Sequence, residues 1–242
     1  MLDLSIAARF MMKGAFVGHL QAQNIGILNL GAEANYVADT GPLLCIGGSK
    51  QIRDIIQSRC YRKTHWVDAV RSELLRQSKG SDARARAAQM YNGKGAFWLT
   101  ETVTFTALDE ADVERIRNRL KVLGDAKAQR KGRRPSTHPQ ANLGEAQSIL
   151  HARRHKHTLL AHDDDARIVA REHGVPAATI VDLARRLVSE GFSAKKLANE
   201  FLTLQRDGID TGEHITGQLD LRPRRQPTSV PRPRPPTQAD GN

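Results

Sequence analysis

The sequence predicts an α/β fold, a sandwich in which a mostly parallel central sheet is covered by helices on both faces. Two observations carry this. Short apolar runs of strand character, such as Tyr36-Val37-Ala38 and Thr158-Leu159-Leu160-Ala161, are separated by long helical segments. The second run is almost continuously apolar rather than alternating, which suits strands buried on both sides.

Tyr36-Val37-Ala38 reads as a buried strand that runs into a turn and helix at Asp39-Thr40-Gly41-Pro42, with Pro42 suited to a first helical position. Ser49 is placed to cap the next helix, whose apolar face is Ile52, Ile55 and Ile56. Tyr61 to Trp66 reads as an edge strand. A helix then runs from about Val67 to Gln77, with Val70, Leu74 and Leu75 facing inward and Glu73 beside them. Residues 82 to 90 are rich in Ala and Arg and favour helix. Phe97 to Phe105 alternates in part and reads as a strand. Asp109, Glu110 and Asp112 suit the start of a helix whose stripe is Val113, Ile116, Leu120 and Leu123. Residues 125 to 139 read as a basic loop, with Lys127, Arg130, Lys131, Arg133 and Arg134 among Gly132, Pro135 and Pro139.

A helix is expected from about Gly144 to His155, through Ala146, Ile149 and Leu150, and then the Thr158–Ala161 strand. Asp163-Asp164-Asp165 comes next, leading into a helix over Ala166 to Glu172 that Gly174 ends. A short strand fits within Val175 to Val181. Helices fit 182 to 190 and 194 to 206, the latter capped by Ser193 and packed through Leu197, Phe201 and Leu204. This divides the chain into an extension at 1–34 without a sustained period, a folded domain at 35–210, and a Pro/Arg-rich tail at 211–242 that cannot build a core.

The formal net charge is +11, which favours a polyanionic partner such as nucleic acid. Residues 222–242 hold five Arg against one Asp, so +7 remains on the rest of the chain, and the body is basic in its own right. Aromatics are only 5%, so aliphatic side chains must fill the core. Two cysteines, Cys45 and Cys60, are too few for a disulfide scaffold, and a reducing, cytoplasmic setting is the simpler inference. The sequence holds no apolar stretch of membrane-spanning length, and no membrane partner is expected.

Against this basic background, the acids fall at structural junctions. Asp39 ends one expected strand, Glu145 opens a helix, and Asp163 to Asp165 join another strand to its helix, with Glu73 a fourth candidate. In open parallel sheets, residues outside the carboxyl ends of strands converge even when distant in sequence. Carboxylates that converge repel one another unless a cation shares them, and Mg²⁺ and Mn²⁺ prefer such oxygen ligands. Each acid also has an ordinary reading: Asp39 as a turn cap, Glu73 as a surface residue, Glu145 and Asp163 as favourable helix N-terminal charges, and Asp164 and Asp165 as caps.

Four segments together resemble the PIN-domain family: Val37-Ala38-Asp39-Thr40-Gly41-Pro42-Leu43, Val70-Arg71-Ser72-Glu73-Leu74, Leu143-Gly144-Glu145-Ala146 and His162-Asp163-Asp164-Asp165-Ala166-Arg167. The resemblance covers about residues 36 to 185. It implies a three-layer α/β/α nuclease dependent on Mg²⁺ or Mn²⁺. It implies metal ligands at Asp39, Glu145 and Asp163, with Asp165 the alternative in the aspartate run and Glu73 a further ligand or water-orienting base. It also implies an RNA substrate, a small antitoxin partner as in toxin–antitoxin pairs, and a homodimer. His162 stands where the family often carries Thr or Ser and is a candidate to bond phosphate or bound water, Thr40 is a candidate substrate-binding hydroxyl beside Asp39, and Arg71, Arg76, Arg133, Arg134 and Arg167 are the candidates to hold the RNA backbone. The rival expectations are a non-catalytic binding module of the same fold and a nuclease acting on DNA. A phosphohydrolase on a similar sheet is disfavoured, because Gly41 stands where an Asp-x-Asp pair would need its second acid.

Overall fold

The structure, a computed structural model, describes residues 34–100, 102–134 and 141–216. Residues 1–33 of the 1–34 extension, Pro135, Pro139 and residues 217–242 of the 211–242 tail lie outside the described residues. Strands β1 (Tyr36–Ala38), β2 (Thr64–His65), β3 (Thr158–Leu160) and β4 (Ala177–Ala178) form one parallel sheet in the order β2-β1-β3-β4. Tyr36 pairs with Thr64 and Thr158, and Val37 with His65 and Leu159. Nine helices stand among the described residues: α1 (Thr40–Gly48), α2 (Lys50–Cys60), α3 (Asp68–Gln77), α4 (Ala83–Gln89), α5 (Glu110–Arg130), α6 (Leu143–His155), α7 (Asp164–Glu172), α8 (Ile180–Ser189) and α9 (Ala194–Arg206).

The helices make two layers. α6 lies on β1 and β3 and packs against α3, α5 and α7. On the other side α9 joins α1, α2 and α8. The fold is therefore a three-layer α/β/α sandwich around a parallel sheet. Strands of two or three residues supply few ladder hydrogen bonds, so burial must hold the sheet. Val37, Ala38, Leu159 and Leu160 are all buried, and each large aliphatic side chain so enclosed contributes on the order of 2 kcal/mol. The centre of α6 is enclosed on all sides, from Ala146 through Ala152, which explains its weak amphipathic pattern.

Caps are where the sequence places them. The Ser49 hydroxyl accepts from the Ile52 amide at 3.1 Å, and the Ser193 hydroxyl accepts from Lys196 at 3.3 Å. Four expectations change. Pro42 is the third residue of α1 rather than the first, still within the turn whose amides have no helical acceptor. Leu75 points to solvent, at 42% exposure. The described residues of 97–105 form no continuous strand, only an isolated parallel bridge between Val103 and Val67. They run beside β2, with Thr100 donating to the Thr64 carbonyl and Val103 to that of Trp66, but a short 3₁₀ turn at Gly93–Ala96 precedes them and Phe97 is exposed, so no continuous ladder forms. Lastly, α5 does not stop near Leu123. Ala, Lys, Gln and Arg carry it to Arg130 although its apolar stripe has ended, because these residues favour helix without burial. Lys127 and Arg130 thus belong to a helix, and the basic connection starts at Lys131.

Packing also runs past residue 210. Thr211 and Ile215 are buried, and Glu213 forms a two-point pair with Arg185 at 2.6 and 2.8 Å. Among the described residues, no helix is long and apolar enough to cross a membrane.

Candidate functional site

Asp39 is the single residue between β1 and α1, and its amide donates to the Leu160 carbonyl of β3 at 2.9 Å. This fixes it at the carboxyl end of the two central strands. Its carboxylate makes no helix-capping bond and is 8% exposed. Burial raises its pKa well above the ordinary carboxylate range; Glu145 adds to the rise, the Thr40 amide opposes it, and Glu73 and Asp163 add further. Glu145, in the first turn of α6, is raised by burial and then by Glu73 and Asp163. Glu73, Glu145 and Asp163 are thus close enough to disfavour the charge on Asp39, and Glu73 and Asp163 to disfavour that on Glu145. Gly144 makes room for them: a β-carbon there would lie 3.1 Å from Val70 and 3.9 Å from an Asp39 oxygen.

Each acid has its own support. Glu73 accepts from the Thr40 hydroxyl at 2.7 Å and from the Gln77 amide at 2.9 Å, so both of its oxygens are oriented. Thr40 is itself buried, and its visible task is to hold Glu73. Asp163 caps α7, accepting from the Asp165 amide at 2.9 Å. Lys127 reaches from α5 to Asp163 at 3.1 Å and Asp165 at 3.4 Å. Burial works against the Lys127 charge, but the two aspartates outweigh it and hold its pKa above the ordinary lysine value. Asp164 turns outward and pairs with Arg167.

Two clefts flank Ala141 and Asn142. One, of about 510 Å³, is bounded by Asp163, Asp165, Lys127, Lys131, Arg133 and Arg134. The other, of about 420 Å³, is bounded by Glu73, Glu145 and Arg76. Basic and acidic groups therefore share both openings. Arg71 is exposed and lines neither.

His162 is enclosed instead of opening to a cleft. β-carbons added at Gly41 and Gly212 would stand 3.1 and 2.9 Å from its ring, so two glycines make its pocket. Gly212 also has a φ of +75°, which suits glycine independently. Neither ring nitrogen finds a hydrogen-bond partner, and burial lowers the pKa to about 4 although Asp210 opposes it. A depressed histidine lends stability that is present above its unfolded pKa near 6.5 and lost as pH falls toward 4. We expect metal-free protein to lose on the order of 2 kcal/mol more between pH 7.5 and 4.5 than a His162→Leu variant, read from urea midpoints. Parallel pH profiles would contradict the assignment.

The fold also gathers three residues that sequence reasoning passed over. One ligand nitrogen from each of His65, His151 and His157 lies within 4.8 Å of the others, so the cluster is capable of holding a divalent metal ion. Among the described residues, it is the one group of three or more His, Cys, Asp or Glu side chains drawn that close. The four carboxylates, though they feel each other, stand wider. A signal was present in His151-x₃-His155-x-His157, where helical spacing puts the first two one turn apart. His65 could not be attached to it without the fold.

Family models, curated proteins and solved structures give this chain no match.

Proposed function

We propose that the chain is a Mg²⁺- or Mn²⁺-dependent endoribonuclease that acts through Asp39, Glu73, Glu145 and Asp163, with Asp165 beside them. The observation that carries this reading is the buried Asp39 carboxylate at the carboxyl ends of β1 and β3, whose charge three other acids disfavour. The donor set fits a hard cation: it is oxygen-only, it includes one carboxylate with no capping role, and Gly144 leaves its approach open. Asp39, Glu145 and Asp163 would hold such an ion, which when bound would supply the Lewis acidity that polarises a phosphodiester and acidifies a water.

The chain's own groups divide the remaining work. Glu73, with both oxygens held, is suited to orient the attacking water. The water oxygen adds to phosphorus, the bond to the leaving ribose oxygen breaks, that oxygen takes a proton from solvent to leave as a hydroxyl, and a carboxylate takes up the attacking water's proton. Glu145 suits that last task, because burial has raised its proton affinity. Arg76, Lys127, Arg133 and Arg134 would hold backbone phosphates, which positions RNA without reading its sequence. As the toxin of a toxin–antitoxin pair, the protein would be switched off by a small partner laid across both clefts.

One observation favours a second reading. Lys127 already compensates Asp163 and Asp165, as it would in a non-catalytic binding module of the same fold. End-labelled RNA incubated with purified protein in Mg²⁺, Mn²⁺ or EDTA separates the two. The proposal expects defined cleavage with either ion and none in EDTA; binding with no cleavage in any condition would leave the non-catalytic module.

A further inference from the structure

We propose that His65, His151 and His157 form a second metal site, selective for a borderline transition ion of the Zn²⁺ class and separate from the carboxylates. His65 closes β2, His157 directly precedes β3, and His151 sits in the enclosed part of α6. Their ring centroids are 4.5 to 5.4 Å apart. Tetrahedral zinc with Zn–N bonds near 2.05 Å needs nitrogens roughly 3.3 Å apart, and the three nitrogens already lie within 4.8 Å of one another, so modest ring rotations supply three of its four ligands.

Two further observations point to a ligand. His151 and His157 are 7% and 9% exposed, yet the His151 Nε2 and His157 Nδ1 atoms are buried without hydrogen-bond partners. Such atoms are costly unless something satisfies them. Finally, no carboxylate belongs to the group, and an all-imidazole set favours Zn²⁺, Co²⁺ or Ni²⁺ over Mg²⁺. The exposed His155 ring lies 4.4 Å from that of His151.

The site is distinct from the acidic one. His151 is six residues beyond Glu145 on α6, about 9 Å along the helix axis. His65 pairs with Val37, two residues and roughly 7 Å before Asp39. A bound ion would tie β2, α6 and β3 together, acting as a clamp on the sheet edge.

The test uses metal-stripped full-length protein with Zn²⁺ and Co²⁺ as probes. We expect one Zn²⁺ per chain at submicromolar Kd, undisturbed by millimolar Mg²⁺, with visible Co²⁺ bands of a four-coordinate site. The thermal midpoint should rise by about 5–10 °C with saturating Zn²⁺. His151→Asn should weaken binding at least 100-fold. The half-buried His65→Gln should do the same if the His151 variant fails to fold. Asp39→Asn should leave Zn²⁺ binding unchanged, so that failure of the nuclease reading and failure of this one are distinguishable. Absence of Zn²⁺ binding by wild type, or unweakened binding in a folded His65→Gln protein, would overturn the proposal.

Discussion

Asp39→Asn should lower metal-dependent RNA cleavage by on the order of 10³-fold or more while making the metal-free protein harder to unfold. The two effects share one cause. Asp39 is buried among like charges, so its ionised form is costly in the fold and useful only where a cation repays the cost. Its pKa is raised, so the stability tied to its protonation is full below the unfolded value near 3.9 and is lost as pH rises through the folded value. The gain from Asn should therefore grow with pH. At pH 8 we expect a thermal midpoint about 5 °C above wild type, shrinking toward pH 5. Added Mg²⁺ should raise the wild-type midpoint and leave the variant's unchanged. Circular dichroism melts with and without Mg²⁺, run beside the cleavage assay, read all of this. Full cleavage by the folded variant would remove Asp39 from the reaction.

Gly47→Val should lower the thermal midpoint by roughly 6–12 °C, corresponding to about 3 kcal/mol. α1 and α4 meet through small residues, and any β-carbon at Gly47 would stand 2.3 Å from the Ala87 carbonyl oxygen and 3.1 Å from the Tyr91 ring. The obstacle is backbone, so no rotamer change relieves it and α4 must move away. That also strains the Tyr91 hydroxyl, which donates to the Leu43 carbonyl at 2.6 Å. Gly124→Ala is the control: nothing lies within 4 Å of its added carbon, and in α5 it should be neutral or stabilising. A midpoint within 2 °C of wild type for Gly47→Val would show that the helices are not in this contact.

How much could be read beforehand differs by the kind of signal. β1 and β3 were legible because both faces of each are covered, leaving nothing but apolar side chains to place there. α9 was legible from its Ser193 cap and the spacing of Leu197, Phe201 and Leu204. Residues 97–105 misled because Thr, Val and Phe favour strands whether or not a partner edge continues beside them. The far end of α5 was missed because a solvated helix held by propensity has no stripe to mark it. The acids could be proposed to converge, since strand ends in a parallel sheet must. Their spread was not readable, because side-chain separation depends on Gly144, Thr40 and Gln77 at distant positions. Lys127 was seen as loop charge, and only the extra turns of α5 bring it to Asp163 and Asp165.

The joints that carry Asp39 and Asp163 are very short: one residue separates β1 from α1, and three separate β3 from α7. One inserted residue at either joint would swing the adjoining helix by about 100° around its own axis. Exchange among Val, Ile and Leu inside the strands would leave both acids in place. The chain's constraint here is therefore one of counting: it can trade the lettering of its apolar segments freely, provided the number of letters before each aspartate is kept.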